Sequence, residues 1–397
     1  MIALGIIAEF NPFHNGHQYL IEKARKKTKA DIVVIIMSGN FLQRGEPAII
    51  DKWTRAKAAV ENSADLVVEL PPFISVQSAD YFANGGVIIA HALKLDYLAF
   101  GTDAKEVVDY QKFGEFSVNH QETIEKTYQD IQDISMSYAQ KMTQVYRELL
   151  PDFPLDFTSP NHILAMSYAK ANAQFEKPMK LVPIKRKKAH YHSQEITIAS
   201  DIASATAIRQ SILKGNEVHA VVPAITNEQL NELPKITWES YWLLLKYKIQ
   251  SSSIKELQQI YQMNEGLEYR LKEKVNEANN FEEFIQLMKT KRYTRTRLQR
   301  LFVYVLWNMK KLPELQDIKL LATNQIGRNY LKQEFFLPII SKVGRDSKQE
   351  FSLKVDQIYQ LGHENIQEQN FGRFPYIKKT RMGQNSECVE EKRTFKH

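Results

Sequence analysis

The sequence is poor in cysteine: its 397 residues contain one, Cys388. A single cysteine excludes a disulfide bond within the chain and a cysteine-rich zinc site. Long apolar runs are absent as well, since none approaches the roughly 20 residues that a membrane-spanning helix needs. The apolar segment at residues 1–8 is interrupted by Glu9 and lacks the basic start and the length of a signal peptide, so it predicts a buried strand. We therefore expect a cytoplasmic protein with no membrane partner.

Charge of one sign is also lacking over the first hundred residues, which hold ten Lys or Arg and ten Asp or Glu. The whole excess of +7 lies in the remainder, with 43 basic and 36 acidic residues. A polyanion such as nucleic acid is therefore expected to contact mainly the later part of the chain. The overall proportions, 43% hydrophobic and 25% charged, are those of a globular protein, and the length suggests about two or three domains.

Short apolar segments alternate with helical patterns in the first half of the chain. Strands are predicted at residues 4–8, 31–37, 65–70, 97–100 and 179–183, and segments with helical spacing lie between the first four. Strand–helix–strand order at this spacing predicts βαβ units, and strands without polar alternation fit a parallel sheet covered on both faces. The expected fold class is therefore α/β, with a Rossmann-like parallel sheet of the nucleotidylyltransferase type.

The pattern changes after about residue 222, where predicted strands almost disappear and helical segments follow one another to about residue 361. We predict a catalytic α/β domain over residues 1–215 and a mainly α-helical C-terminal domain over residues 216–377. Residues 378–397 are polar, and we expect them to form a disordered tail.

The most specific motif is Glu-Phe-Asn-Pro-Phe-His-Asn-Gly-His at residues 9–17, between the first strand and the first helix. Ligands bind beyond the carboxyl ends of the strands in open α/β sheets, and anions bind at helix N-termini. Gly16 lets the backbone approach a ligand closely, and His14 and His17 can both face a phosphate and stabilise its charge. The alternatives are two surface histidines in a loop or a pair that binds a metal. The position of the motif favours a nucleotide site, with both histidines catalytic.

The motif resembles the His-x-Gly-His signature shared by nucleotidylyltransferases and class I aminoacyl-tRNA synthetases, which act by adenylyl transfer from ATP and release pyrophosphate. Those proteins carry a second signature late in the domain, and residues 202–209 stand at that place here. Ser204 and Thr206 can cap the next helix, and its N-terminus together with Arg209 can bind the β- and γ-phosphates. The alternative is an ordinary helix cap followed by an exposed arginine.

Longer segments resemble the tRNA(Met) cytidine acetate ligase family. They are residues 5–21 and 37–71, with Phe-Gly-Thr-Asp at 100–103, Ser-Pro-Asn at 159–161 and Ile-Lys-Arg at 184–186. The resemblance implies an enzyme that activates acetate with ATP as acetyl-adenylate. That enzyme then acetylates the exocyclic amine of the wobble cytidine in elongator tRNA(Met), forming N(4)-acetylcytidine. We expect Mg²⁺ to accompany the phosphates.

The resemblance also implies an ATP site. Its members here are Ile7, Ala8, Glu9, Phe10, Asn11, Pro12, Phe13, His14, Asn15, Gly16, His17, Gln18, Tyr19, Leu20, Gly101, Asn161 and Arg186. Gly101 and Arg186 follow predicted strands and Asn161 can begin a helix, positions from which each can reach a nucleotide. The alternatives are a turn glycine, a surface arginine and a helix cap. We also expect Arg44 or Lys52, after the second strand, near the phosphates, unless that loop is only structural.

A basic segment at residues 289–300 holds six Lys or Arg, one tyrosine and no acidic residue, a composition suited to RNA binding. The spacing indicates a junction between a loop and a helix, and the alternative is a solvated surface. A second basic cluster, residues 185–188, lies close to the predicted active site. The predicted tRNA-binding residues are Lys187, Lys188, Lys289, Lys291, Arg292, Arg295 and Arg297. Lys188 and Ser193 stand where the family usually has glycine and aspartate, so this loop is more basic than the family pattern.

Two other functions fit parts of the sequence. An adenylyltransferase acting on a small metabolite shares the histidine motif but leaves the basic segment unexplained. A non-catalytic RNA-binding protein is disfavoured by the intact His14, Gly16, His17 and Arg209. The sequence assigns no residue to acetate and no general base to the cytidine amine. It also does not define the basis of tRNA choice or the oligomeric state.

Overall fold

The structure is a computed structural model that describes residues 1–104, 108–133, 136, 138–151, 153, 159–186, 201–264, 266–343 and 349–379. Parallel strands form the N-terminal part of its sheet, and their order in space is β5-β4-β1-β2-β3. They are β1 (Ala3–Ala8), β2 (Ile32–Ser38), β3 (Leu66–Leu70), β4 (Tyr97–Thr102) and β5 (Lys180–Lys185). The predicted α/β fold with a parallel sheet is confirmed.

Helices cover both faces of this sheet. Those of the N-terminal part are α1 (Asn15–Thr28), α2 (Lys52–Glu61), α3 (Pro72–Ser75), α4 (Ala79–Ala92), α5 (Tyr110–Asn119), α6 (Gln121–Asp130), α7 (Tyr138–Leu149), α8 (Pro160–Asn172) and α9 (Ala205–Leu213). Alternate residues of β2 join different cores: Val33 and Ile35 pack with α1 and α2, whereas Val34 and Ile36 pack with α4 and α8. This division explains why β2 is apolar at nearly every position.

The C-terminal part is mainly helical, as predicted. Its helices are α10 (Ala224–Glu232), a 3₁₀ helix (Trp238–Tyr241), α11 (Trp242–Ser251), α12 (Ile254–Gln258), α13 (Leu267–Glu277), α14 (Phe281–Met288), α15 (Arg295–Trp307), α16 (Gln325–Tyr330) and α17 (Glu350–Gln360). The domain boundary near residue 215 stays a prediction, and one hydrophobic core includes residues from both sides of it. No helix within the described ranges combines the length and the apolarity that crossing a membrane takes.

Strands also occur after residue 222, which corrects the expectation that they almost end there. β6 (Ile318–Thr323) runs antiparallel to β3, with β7 (Ile339–Ile340) and β8 (Tyr376–Ile377) pairing to β6. β6 contains Lys319 and Thr323, so it shows neither a continuous apolar run nor a strict apolar–polar alternation, and the sequence pattern missed it. The backbone N–H of Lys378 donates to the Thr323 carbonyl at 2.9 Å, so the predicted tail begins beside the sheet. Residues 380–397 lie outside the described residues.

A buried ion-pair network joins the C-terminal part to the sheet. The Lys52 Nζ atom lies 2.7 Å from both carboxylate oxygens of Glu69 and 2.6 Å from Asp356 Oδ2, and Lys319 Nζ lies 3.7 Å from the same oxygen. Burial acts to lower the pKa of Lys52, but the Asp356 and Glu69 carboxylates outweigh it and raise that pKa. Lys52 is therefore a buried structural cation, which leaves Arg44 as the candidate of the two residues expected near the phosphates.

Candidate active site

A cavity of about 850 Å³ opens at the carboxyl ends of β1, β4 and β5, where open α/β sheets bind ligands. The predicted site residues that line it are Ile7, Ala8, Glu9, Asn11, His14, Gly16, His17, Tyr19, Leu20, Gly101, Asn161, Arg186, Ser204, Thr206 and Arg209. The predicted residues Phe10, Pro12, Phe13, Asn15 and Gln18 are outside its lining. The structure thus brings together segments that are separated by almost two hundred positions in the chain.

The phenylalanines of the motif lie beneath the cavity. Phe10 and Phe13 are fully buried, and their rings pack on the His17 ring with centroid distances of 4.8 Å and 5.8 Å. The Asn15 side chain turns away from the cavity and donates from Nδ2 to the Ala220 carbonyl at 3.1 Å. These residues shape the loop, whereas the histidines between them face the cavity.

His14 and His17 cap α1 together. His14 is the residue before the helix, and its Nδ1 atom accepts a hydrogen bond from the Gly16 N–H at 3.0 Å. The His14 N–H in turn points to Nδ1 of His17 at 3.3 Å, and the two rings stack with a centroid distance of 3.6 Å. Because Nδ1 is the acceptor in each neutral ring, the proton of each is on Nε2, which is then a donor. A Cβ added at Gly16 would lie 2.8 Å from His14 Cε1, so glycine suits this position.

Both imidazoles are neutral near pH 7. Burial, together with the nearby Arg186 and Arg209 guanidinium groups, lowers the pKa of His14 to about 3. Burial likewise holds the pKa of His17 well below its usual range, with the His14 ring and Arg186 adding to the effect. The pair therefore presents N–H donors to a ligand without carrying positive charge, and the arginines supply the charge.

Arg209 connects α9 to two loops at the cavity. Its Nη1 atom donates to the Asn11 carbonyl at 2.9 Å, and its Nη2 atom lies 3.6 Å from Glu46 Oε2. The preceding signature residue Ser204 caps α9, accepting from the Ala207 N–H at 3.1 Å, while also lining the cavity. The helix cap and the cavity lining thus occur together, so the cap alone does not account for this segment.

Arg186, Asn161 and Gly101 meet around an aspartate that the site prediction omitted. Asp103 Oδ2 accepts from Asn161 Nδ2 at 2.5 Å and from Ser159 Oγ at 3.0 Å, and Asp103 Oδ1 lies 3.6 Å from Arg186 Nη1. A Cβ at Gly101 would lie 3.3 Å from Arg186 Cγ, so this glycine lets the arginine cross the end of β4. Asp103 follows β4 directly, and its position after a strand is the signal that could have identified it.

Arg55 fixes the loops below the cavity and was also missed. Its fully buried guanidinium donates to the carbonyls of Ile50 at 3.0 Å, Glu9 at 2.5 Å, Ser38 at 3.1 Å and Gly39. These bonds join the ends of β1 and β2, so Arg55 sets the positions of both loops. Its partners are backbone carbonyls, which no residue pattern in the sequence displays.

The loop after β2 contacts Glu9, which follows β1, and contributes Arg44 and Glu46 to the cavity. Glu9 Oε1 accepts from the Gln43 N–H at 2.7 Å, and burial raises the pKa of this carboxyl although the hydrogen bond and Arg44 oppose the rise. Arg44 and Glu46 line the cavity, and the position of Arg44 near the phosphates stays a prediction. Among the described residues, no group of three His, Cys, Asp or Glu side chains is placed to hold a metal ion.

The basic segment is a loop that leads into α15, as its spacing indicates. Arg295 Nη1 lies 2.7 Å from Glu282 Oε1, and Arg297 Nη2 donates to Asn264 Oδ1 at 3.2 Å. Lys289, Lys291 and Arg292 are exposed and do not line the cavity. The two residues of this segment that do line the cavity are Thr296 and Arg300, neither of which was among the predicted site residues. Lys187 and Lys188 lie outside the described residues.

Comparison with known proteins places this geometry in a family. A family model described as HIGH Nucleotidyl Transferase matches residues 1–373. The tRNA(Met) cytidine acetate ligase of Streptococcus pneumoniae serotype 2 (strain D39) is 43% identical over 378 residues, which are 94% of this chain and 98% of that protein. The chain belongs to the tRNA(Met) cytidine acetate ligase family. The resemblance that the sequence motifs indicate is thereby confirmed.

Solved structures resemble this ligase-family chain over nearly its whole length. Thermotoga maritima TmcAL in apo form I has a TM-score of 0.87 at 25% identity, covering 96% of this chain and all of that one. TmcAL bound with alpha-thio ATP, in form II, has a TM-score of 0.84 at 25% identity, covering 95% and 99%. The helical C-terminal part is therefore shared with the ligase fold.

Proposed function

We propose that this ligase-family protein acetylates the exocyclic amine of the wobble cytidine in elongator tRNA(Met), using ATP and acetate, in the cytoplasm. In the first step an acetate oxygen attacks the α-phosphorus of ATP, the bond to the bridging oxygen breaks, and pyrophosphate leaves. In the second step the cytidine N4 attacks the acetyl carbonyl carbon, AMP leaves with the bonding electron pair, and the amine loses one proton. The products are N(4)-acetylcytidine, AMP and pyrophosphate.

The observation that carries the proposal is the pairing of two neutral imidazoles with two arginines at the N-terminus of α1. In the first step negative charge spreads over the oxygens of the α-phosphate, where preorganised donors stabilise it best. The Nε2–H groups of His14 and His17 are such donors, and the positive end of the α1 helix dipole lies beside them. Arg186 and Arg209 have guanidinium groups in the same cavity, and we assign them to the β- and γ-phosphates.

Activation of the acid is necessary for the second step. The exocyclic amine of cytidine is delocalised into its ring and is a weak nucleophile, so it needs an acyl group on a good leaving group. The base must also leave its stack to enter the cavity, which is simplest for an unpaired anticodon base. The curated relative is named for the same substrate, and the ATP analogue in TmcAL fits an adenylation step.

Mg²⁺ would be held by phosphate oxygens and water, because the described residues offer no cluster of ligands for it. When bound, it would reduce the charge of the triphosphate. Asp103 already accepts two hydrogen bonds, from Asn161 and Ser159, so it is committed to orienting the site.

The test is transfer of labelled acetate to tRNA with and without ATP, for wild type and His14→Ala. We expect incorporation only with ATP, and a loss of about a hundredfold or more in the variant, the usual effect of removing a transition-state donor. His120→Ala is the matched control, because His120 is exposed and outside the cavity, and it should retain full activity. Absence of label in tRNA, with pyrophosphate still released for other small acids, would instead indicate an adenylyltransferase acting on a metabolite.

A further inference from the structure

A group of lysines lies on α1 beside the active-site cavity. Lys23, Lys26 and Lys27 are exposed, and their i, i+3 and i+4 spacing puts them on one side of the helix. Lys185, at the end of the edge strand β5, is exposed as well. These four residues, here called the α1 lysine face, border a shallow cavity of about 430 Å³.

The shallow cavity is continuous with the active site. Tyr19, Ile184 and Lys185 line both of them, so a chain that leaves the active site on this side passes directly over the lysines. The Tyr19 ring stands between the two cavities, with Lys23 Nζ 5.7 Å from its centroid. A positive surface with an aromatic ring at its edge suits a nucleic acid backbone with one base turned inward.

The charges of this face are available to a partner. Within the described part of the chain, none of the four ammonium groups forms an ion pair with a carboxylate, and Lys27 Nζ has a carbonyl contact, to Pro183 at 3.4 Å. Arg25 on the same helix differs, because its Nη2 lies 2.5 Å from Asp65 Oδ2 in a structural ion pair. The exposed acid on α1, Glu22, accepts from the Gln18 amide at 2.9 Å.

The face lies across the cavity from the basic segment. Lys185 ends β5, whereas Arg44 follows β2, three strands further along the sheet, and Arg300 of α15 lines the cavity beside the Arg44 loop. A base that enters the cavity has a phosphate on its 5′ side and another on its 3′ side. Positive side chains on both sides of the opening can therefore bind both phosphates of a strand that crosses it. With positive side chains on one side alone, one of the two phosphates would have no cationic partner.

We propose that the α1 lysine face binds the RNA backbone on one side of the reacting nucleotide, while Arg44 and Arg300 contact it on the other. This inference rests on the proposed function, because it takes the substrate of the cavity to be a nucleotide within RNA. It differs from the expectation that a polyanion meets mainly the later part of the chain. The first hundred residues are neutral in sum, but the fold separates their charges and leaves the α1 lysines on the surface.

The test compares two triple variants of the full chain. In Lys23→Gln/Lys26→Gln/Lys27→Gln the face is neutralised. The matched control removes the same charge from exposed lysines that line neither cavity, and its positions are Lys255, Lys311 and Lys332. Equilibrium binding of fluorescently labelled tRNA is measured across a salt series, and ATP binding is measured by calorimetry.

The expected result follows from counterion release. Each phosphate contact to a single strand contributes about 0.7 to the slope of log affinity against log salt, so losing three contacts lowers the slope by about 2.1. A fourfold rise in salt should then weaken wild-type binding roughly 20-fold more than binding by the face variant. The control triple should keep the wild-type slope, and ATP affinity should be the same for all three proteins.

Two outcomes would overturn the inference. They are equal salt slopes for wild type and the face variant, or an equal reduction of the slope in the control triple. Acetylation by wild type alongside either of these would leave the proposed function standing. Normal tRNA binding that depends on the α1 lysine face, without ATP-dependent acetylation, would support the RNA-binding surface and contradict the proposed function.

Discussion

The neutral state of His14 predicts a specific loss of stability in acid. Burial holds its folded-state pKa at about 3, whereas the ordinary value is 6.5, so the unfolded chain binds a proton first as the pH falls. Protonation thus favours unfolding, and the stabilisation present above pH 6.5 declines below it. Between pH 7 and pH 5 this one group should lower the free energy of unfolding by about 2 kcal/mol.

The assay is urea unfolding at pH 7, 6 and 5, for wild type and for His14→Asn. Asparagine is a good helix cap and does not titrate in this range, so it keeps the hydrogen bond to Gly16 while removing the proton site. The wild type should lose about 2 kcal/mol more than the variant between pH 7 and pH 5. His17 contributes to both proteins and cancels in the comparison. His120→Asn, at an exposed position, should follow the wild-type profile.

Parallel pH profiles for wild type and His14→Asn would refute this reasoning. Such a result would mean that the imidazole is already accessible to protons in the folded protein. The description of the pair as neutral hydrogen-bond donors would then fail, and catalysis by an imidazolium would replace it.

Four further substitutions test separate parts of the structure. Gly45 has φ 74°, and a Cβ added there would lie 2.3 Å from a backbone nitrogen of α15. Gly45→Ala should therefore lower the free energy of unfolding in urea by about 3 kcal/mol. Gly215→Ala, at φ 78° with no atom within 4 Å, should cost about 1 kcal/mol, and equal costs would contradict the close contact. Asp356→Asn should lower the free energy of unfolding by about 3 kcal/mol, because the buried Lys52 is left with one carboxylate, that of Glu69. A cost near zero would contradict a tightly coupled ion-pair network. Arg209→Lys should weaken ATP binding about tenfold in calorimetry. Unchanged affinity would mean that Arg209 does not contact the triphosphate.

The parts of the site that depend on local order were predictable from the sequence. A buried strand, a loop with His14 and His17, and a helix follow one another within thirty residues, so the site at the end of β1 needs no distant information. Ser204 is likewise both a recognisable cap and part of the cavity. The order of strands and helices was sufficient to predict the parallel sheet, because βαβ units have few alternative arrangements.

The parts that depend on distant partners were not predictable. Lys52 or Arg44 was expected near a phosphate, but the Lys52 partners Glu69 and Asp356 stand 17 and 304 positions away, and their charges compensate its charge inside the core. Arg300 belongs to a segment whose net charge indicated a surface, yet the approach of α15 to Gly45 brings it to the cavity. Charge summed along the sequence does not say which cations the fold pairs and which it exposes.

The most direct test of acetyl-adenylate formation is the fate of the acetate oxygens. With acetate labelled by oxygen-18 in both oxygens, attack on the α-phosphorus leaves one labelled oxygen on phosphorus when the cytidine amine displaces AMP. Mass spectrometry of a reaction with tRNA and ATP should therefore find one labelled oxygen in each AMP produced and none in pyrophosphate. Unlabelled AMP, or label in inorganic phosphate, would mean that acetate is activated at another phosphorus, and the assignment of the α1 N-terminus to the α-phosphate would be wrong.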